Sequence, residues 1–338
     1  MPSSAQPQPV TDLTITSPRP LQVIQRRTRA AGEVLVSGRA AVLCDRIEAQ
    51  VTGRSLSGDI CPTWEPVPLF PATGVFQGLL LVPAGGWYDV EVRAVQGGET
   101  VAAATVSQVG VGEVFVTAGQ SNSTNAGQFP IQQHSGMVSS FSGRHWQIAD
   151  DPQPGCHDES TGGSPWPAMG DALYAAYEVP IGIAATGHGA TSVNQWAPGD
   201  ELFQWMMTRI WQLGPGGFRA LLWHQGESDV AMPTEDYFAK LAAIIAASQE
   251  AAGWHFPWGV AKVSYHNPDN PRFETTRAAH QALWDAGLAF AGPDTDDLTG
   301  DHRDMDGLGI HFSPKGLKAH GEMWADCIRA WLDCLLEQ

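Results

Sequence analysis

Four short segments carry residue types suited to nucleophilic chemistry. In VFVTAGQSNSTNAG, residues 114–127, an apolar run stops at Gly119 and Ser121 follows among small polar residues. A serine where a strand turns into a helix start lies near backbone N–H groups that favour developing negative charge, which suits attack on a carbonyl. The same segment also reads as a serine that only caps a helix. A nucleophilic serine needs a base, and His311 lies in DMDGLGIHFSPKG, residues 304–316, just ahead of a helix opened by Ser313 and Pro314. A histidine held at that corner can take the serine proton. A purely structural histidine would give the same letters.

Two further segments offer hydrogen-bond donors. In ATGHGATSVNQW, residues 185–196, Gly187 and Gly189 let the backbone approach a ligand and aim a free N–H at an oxyanion. A plain strand–loop–helix turn would look similar. In LLWHQGESD, residues 221–229, an apolar run ends in His224, Gln225, Glu227, Ser228 and Asp229. So many polar groups at one strand end are unfavourable unless they face a site or each other. Gln225 has an amide to donate, and Glu227 can orient it or the surroundings of the nucleophile. A solvated loop is the other reading.

The elements that must position these residues fall into two parts. From about Leu13 to Val109 the chain is short β-type runs broken by Gly, Pro and polar turns, and YDVEVRAV alternates apolar and polar at the strand period. This pattern predicts an antiparallel β-sandwich. After Gly110, apolar strands alternate with helical segments near Pro167–Tyr177, Glu201–Gln212, Thr234–Ala252 and Arg272–Ala286, and from Pro314 onward. In the last of these, Leu317, Trp324, Ile328, Trp331 and Leu335 form an apolar stripe. Alternation of this kind predicts a parallel sheet covered on both faces, with ligands bound beyond the carboxyl ends of its strands. Ser121, Gly187–Gly189, Gln225–Glu227 and His266 all fall there.

Composition narrows the function classes. The chain has 338 residues, 43% hydrophobic and 16% charged, enough for a large core and more than one domain. Nineteen basic against 36 acidic residues give a net charge of −17, which argues against nucleic acid and anionic membranes as partners. No apolar run is long enough to span a bilayer. The start, MPSSAQPQPV, lacks the pattern of a signal peptide, so the chain is expected to be cytoplasmic as written, or exported with its leader absent. Five widely spaced cysteines suggest neither a disulfide framework nor a zinc site; a Cys44–Cys61 bridge and free thiols both remain open. His302, His311 and His320 are nine apart, which fits no simple metal-ligand pattern. Thirteen tryptophans supply core and, where exposed, flat faces suited to sugar rings.

Taken together, GQSN, GHGATSVNQW, WHQGESD and GIHFSPKG resemble the blocks of the SGNH (GDSL-type) hydrolase superfamily, in its branch of sialate O-acetylesterases and acetylxylan-type carbohydrate esterases. The resemblance implies an α/β fold: a three-layer α/β/α hydrolase domain with a parallel sheet over residues 111–338. A small antiparallel β-sandwich over 13–110 and a disordered stretch over 1–12 would precede it. It implies Ser121 as nucleophile and His311 as general base. The N–H groups of Ser121 and Gly189 and the side chain of Gln225 would form the oxyanion hole, with Glu227 and Asn122 in support. Where the family places an aspartate three residues before the histidine, this chain has Leu308. A bulged loop would bring Asp306, five before, to the imidazole; Asp304, seven before, is the next acid. No metal or organic cofactor is implied, and the partner is an acetylated carbohydrate. Esterases acting on other short acyl or lipid esters, and a catalytically dead carbohydrate-binding protein, are the alternatives.

Overall fold

The computed structural model describes residues 12–336. The expected disorder of 1–12 therefore lies outside the described residues except for Asp12.

The N-terminal part contains two antiparallel arrays. One joins Leu13–Ser17, Ala31–Ala40, Val75–Pro83 and Leu69–Phe70. The other joins Glu65–Val67, Arg46–Thr52, Gly85–Gln96 and the first half of the strand Glu99–Gly119. Alternate residues turn inward from each, among them Val34, Val36, Phe76 and Leu80 from the first and Ile47, Ala49, Val90 and Val92 from the second. Period-two burial of this kind follows from the pleat.

The strand Glu99–Gly119 is 21 residues long and belongs to both parts. Its second half is the centre of a parallel sheet. Val138–Phe141 and Ile181–Ala185 lie on one side, and Ala220–His224, Trp258–Lys262 and Phe290–Asp294 on the other. Helices cover both faces. Val114, Val116, Ala118, Leu221 and Trp223 pack on the helices Glu201–Leu213, Thr234–Ala252 and Glu274–Asp285. Phe115, Ile183 and Leu222 pack on Trp166–Tyr177 and Pro314–Leu336.

The helix boundaries fall close to the spacing-based expectation. Glu274–Asp285 starts two residues late because Phe273 is extended. On the last helix Leu317, Trp324 and Ile328 are buried and Trp331 stacks on Phe290, but Leu335 is exposed. Leu332, one turn beyond Ile328, holds the buried position instead. Cys44 and Cys61 are not bridged. No described helix is long and apolar enough to cross a membrane.

A buried ion cluster locks the two parts together where the long strand passes between them. Glu113 accepts from Arg26 Nε at 2.7 Å, Gln25 Nε2 at 2.8 Å and Arg219 Nε at 2.7 Å. Arg26 and Glu113 are about 1% exposed. Removing one partner of such a pair leaves a buried charge uncompensated. Glu113→Ala is therefore expected to lower stability by about 3–5 kcal/mol in urea unfolding. A near-wild-type midpoint would show that the cluster does not join the two parts.

Candidate active site

Register sets the position of Ser121. Gly119 pairs with His224 on the neighbouring strand. Its φ is +126°, and a Cβ there would lie 2.1 Å from the His224 carbonyl oxygen. Only glycine allows the strand to leave the sheet at that point. Ser121–Ser123 then form one 3₁₀ turn, with Ser123 N–H and Thr124 N–H donating to the carbonyls of Gln120 and Ser121. The Ser121 side chain caps nothing and makes no hydrogen bond among the described residues, so the capping role is not realised.

Asn122 ties this turn to the histidine loop. Its Nδ2 donates to Glu227 Oε1 at 2.9 Å and to the Ile310 carbonyl at 3.3 Å. The residues following Ser121 and preceding His311 are therefore in contact. A second link runs from Gln128 N–H to the Phe312 carbonyl.

The loop places Asp304, not Asp306, beside His311. Asp304 N–H donates to the His311 carbonyl at 3.0 Å, closing the loop at its base, and Arg303 and Phe312 form an antiparallel bridge beside it. Asp304 Oδ2 lies 3.8 Å from His311 Nδ1. Gly309 permits this packing, since a Cβ there would lie 1.7 Å from Asp304 Oδ1. Asp306 sits at the exposed tip, in left-handed backbone at φ +57°, and does not reach the imidazole. The base of the loop thus brings Asp304 rather than Asp306 beside the imidazole.

Arg303 was not legible as a site residue. It is 2% exposed, and its guanidinium donates to the carbonyls of Leu298, Ile310 and Thr295. It also stacks 3.8 Å over Tyr265 and 4.2 Å over Phe312. This buried cation holds the carbonyl that Asn122 also contacts. Burial lowers the pKa of His311; Asp304 opposes that shift and Arg303 adds to it.

The oxyanion donors differ from expectation. The Ser121 N–H has no acceptor among the described residues. A Cβ placed on Gly189 would lie 3.7 Å from Ser121 Cβ, so Gly189 does adjoin the serine, but its N–H donates to Asp158 Oδ2 at 2.6 Å. Gln225 is fully buried, and its Nε2 is taken by Gln120 Oε1, the Thr191 carbonyl and Asp229 Oδ2 at 3.1, 3.0 and 2.6 Å. Tyr237 Oη donates to its Oε1. Gln225 therefore braces three loops and has no hydrogen free for an oxyanion. No group of three or more acidic, histidine or cysteine side chains among the described residues can hold a metal. Cavities of about 940 Å³ beside Ile131 and Tyr174, and of about 520 Å³ beside Arg19 and Trp146, are lined by neither Ser121 nor His311.

The profile of a carbohydrate esterase family, described as sialic acid-specific acetylesterase, matches residues 111–330. The chain belongs to this family. It is thus a carbohydrate O-acetylesterase, a carboxylic ester hydrolase. Comparison with curated proteins finds no match. Among solved structures, a carbohydrate acetylesterase from Xanthomonas citri is 19% identical with a TM-score of 0.57, covering 94% of this chain and 74% of its own. A protein from Arabidopsis thaliana is 20% identical with a TM-score of 0.51, covering 65% of this chain and 98% of its own. Both show the same α/β fold.

In this esterase Glu227 is the most perturbed acid beside the Ser121 turn. Burial pushes its pKa up to about 7, against the hydrogen bond from Asn122. His224 Nδ1 is 3.9 Å away, but burial pushes that imidazole down to about 3, so the contact is no ion pair at neutral pH. An acid raised in the folded state stabilises below its unfolded value and loses that contribution as pH rises to its folded value. Wild type should therefore lose stability relative to Glu227→Gln between about pH 4.5 and 7, on the order of 3 kcal/mol. Parallel stability curves for the two proteins would show that Glu227 is not the titrating group.

Proposed function

We propose that Ser121 is the nucleophile, His311 the general base and Asp304 the carboxylate that steadies it, in an enzyme that removes O-acetyl groups from glycans. The observation that carries this reading is the Asn122 hydrogen bond to the Ile310 carbonyl, which joins the two segments concerned. His311 Nδ1 faces Asp304, leaving Nε2 to take the Ser121 proton. The serine oxygen attacks the acetyl carbonyl, and the oxyanion is received by the N–H groups of Ser121 and Gly189. His311 returns the proton to the sugar oxygen as the C–O bond breaks. Water, deprotonated by the same imidazole, then releases acetate from the acyl-enzyme.

The lowered pKa supports this role. His311 must be neutral to act as a base, so the acid limb of kcat/KM should lie below pH 6.5. At 3.8 Å the Asp304 contact is long for a hydrogen bond but within ion-pair range, and it strengthens when the imidazole gains its proton. A dead binding protein was an alternative because Leu308 stands where an aspartate was expected; Asp304 beside the imidazole removes that motive. We further propose that residues 13–110 are an accessory β-sandwich domain that props the hydrolase domain, residues 111–338, through the Glu113 cluster.

Acetate release from p-nitrophenyl acetate and acetylated glycans tests the assignment. Ser121→Ala should abolish it. Asp304→Asn should lower kcat by up to about 10⁴, the loss typical for a triad carboxylate. Asp306→Asn should stay near wild type. A reversed order of the two aspartate variants would contradict the proposal, and a preference for long-chain esters would favour lipid substrates.

A further inference from the structure

The Gly189 N–H is already occupied. Asp158 Oδ2 accepts it at 2.6 Å, next to Ser121, while Oδ1 is held by the Ser160 hydroxyl. If that N–H is to receive an oxyanion, as the proposed function requires, the carboxylate must leave first. Left in place, it would also repel the charge that develops there. A half-buried carboxylate that gives up a donor loses a hydrogen bond unless another donor replaces it.

The surroundings fix which part moves. The Asp158 segment is fastened on two sides. His157 N–H donates to the Gly187 carbonyl at 2.8 Å, and Asn125 N–H donates to Ser160 Oγ at 3.2 Å. The imidazoles of His157 and His188 are joined through their Nδ1 atoms at 2.7 Å. The backbone is thus held, so an exchange of partners falls to the Asp158 side chain. Beside it, Trp205 is 37% exposed, with its ring edge-on to His157 at 5.2 Å between centroids. An exposed indole offers an apolar face to a sugar ring.

We propose that Asp158 is a specificity residue that exchanges the Gly189 N–H for a hydroxyl of the substrate. A sugar carrying a free hydroxyl next to its acetyl ester supplies the replacement donor. The carboxylate swings to that hydroxyl, and the acetyl carbonyl takes the vacated N–H. An ester without a hydroxyl must displace the carboxylate uncompensated. Binding of the right leaving group therefore assembles the oxyanion site, an induced fit set by one side chain.

The test compares kcat/KM for p-nitrophenyl acetate and for a monoacetylated sugar with a free vicinal hydroxyl. Asp158→Ala should raise the aryl ester value about tenfold and lower the sugar ester value about tenfold, each the worth of one hydrogen bond to a charged group. Asp158→Asn, which keeps the shape, should move both in the same directions by less, and it decides the matter if the alanine variant does not fold. A parallel fall on both substrates, or an unchanged ratio, would overturn the proposal. Ser121→Ala in the same assays separates the two claims, because residual activity there would refute the nucleophile rather than the role of Asp158.

Discussion

One carboxamide joins segments 188 positions apart. Asn122, next to the serine, reaches the carbonyl next to the histidine and at the same time holds Glu227. The backbone bond from Gln128 N–H to the Phe312 carbonyl is a second link between the Ser121 segment and the last loop. Each end of the Asn122 bond to Ile310 is fixed separately. On the serine side the parallel register and Gly119 set the turn. On the histidine side Arg303 fastens the Ile310 carbonyl, a second donor to the same oxygen. Asn122, its two acceptors and Arg303 thus form one network, and several bonds narrow the geometry more than any one does.

Behind this contact lies a layer whose only work is alignment. Gln225 draws together Gln120, Thr191 and Asp229, one from each of three loops at the carboxyl edge of the sheet. Asp229 in turn accepts the Val193 N–H and the Ser192 hydroxyl, so the start of the Val193–Trp196 turn is held as well. At the other end of the same long strand, Glu113 gathers Gln25, Arg26 and Arg219. Ser121 therefore sits at the end of a strand anchored at both extremes. A hydroxyl that must meet an imidazole within a fraction of an ångström needs that rigidity.

Much of this was legible because hydrophobic period and punctuation are local. The alternation of Tyr88–Val95, the helix Thr234–Ala252 and the Ser313–Pro314 start all follow from a few adjacent letters. Ser313 Oγ does accept the Gly316 N–H. The blocks around Ser121, Gly189, Gln225 and His311 were visible as polar residues at strand ends. What was not legible depends on contacts between distant segments. That Asp304 rather than Asp306 lies beside His311 follows from the backbone bond that closes the loop, which no spacing rule encodes. Gln225 looked like a donor because its amide is a donor; only the packing shows which acceptors have already claimed it. Asp158 and Arg303 sit in loops whose letters, CHDES and DHRDM, read as ordinary solvated turns.

The claim on which the account rests is that an acetyl group passes through the Ser121 oxygen. With p-nitrophenyl acetate the good leaving group makes deacylation the slower step, so an acid quench during turnover traps the intermediate. Peptide mass spectrometry of the quenched protein should find the acetyl group on the peptide carrying Ser121. An acetyl group found on another side chain, with Ser121 unmodified while turnover continues, would contradict it.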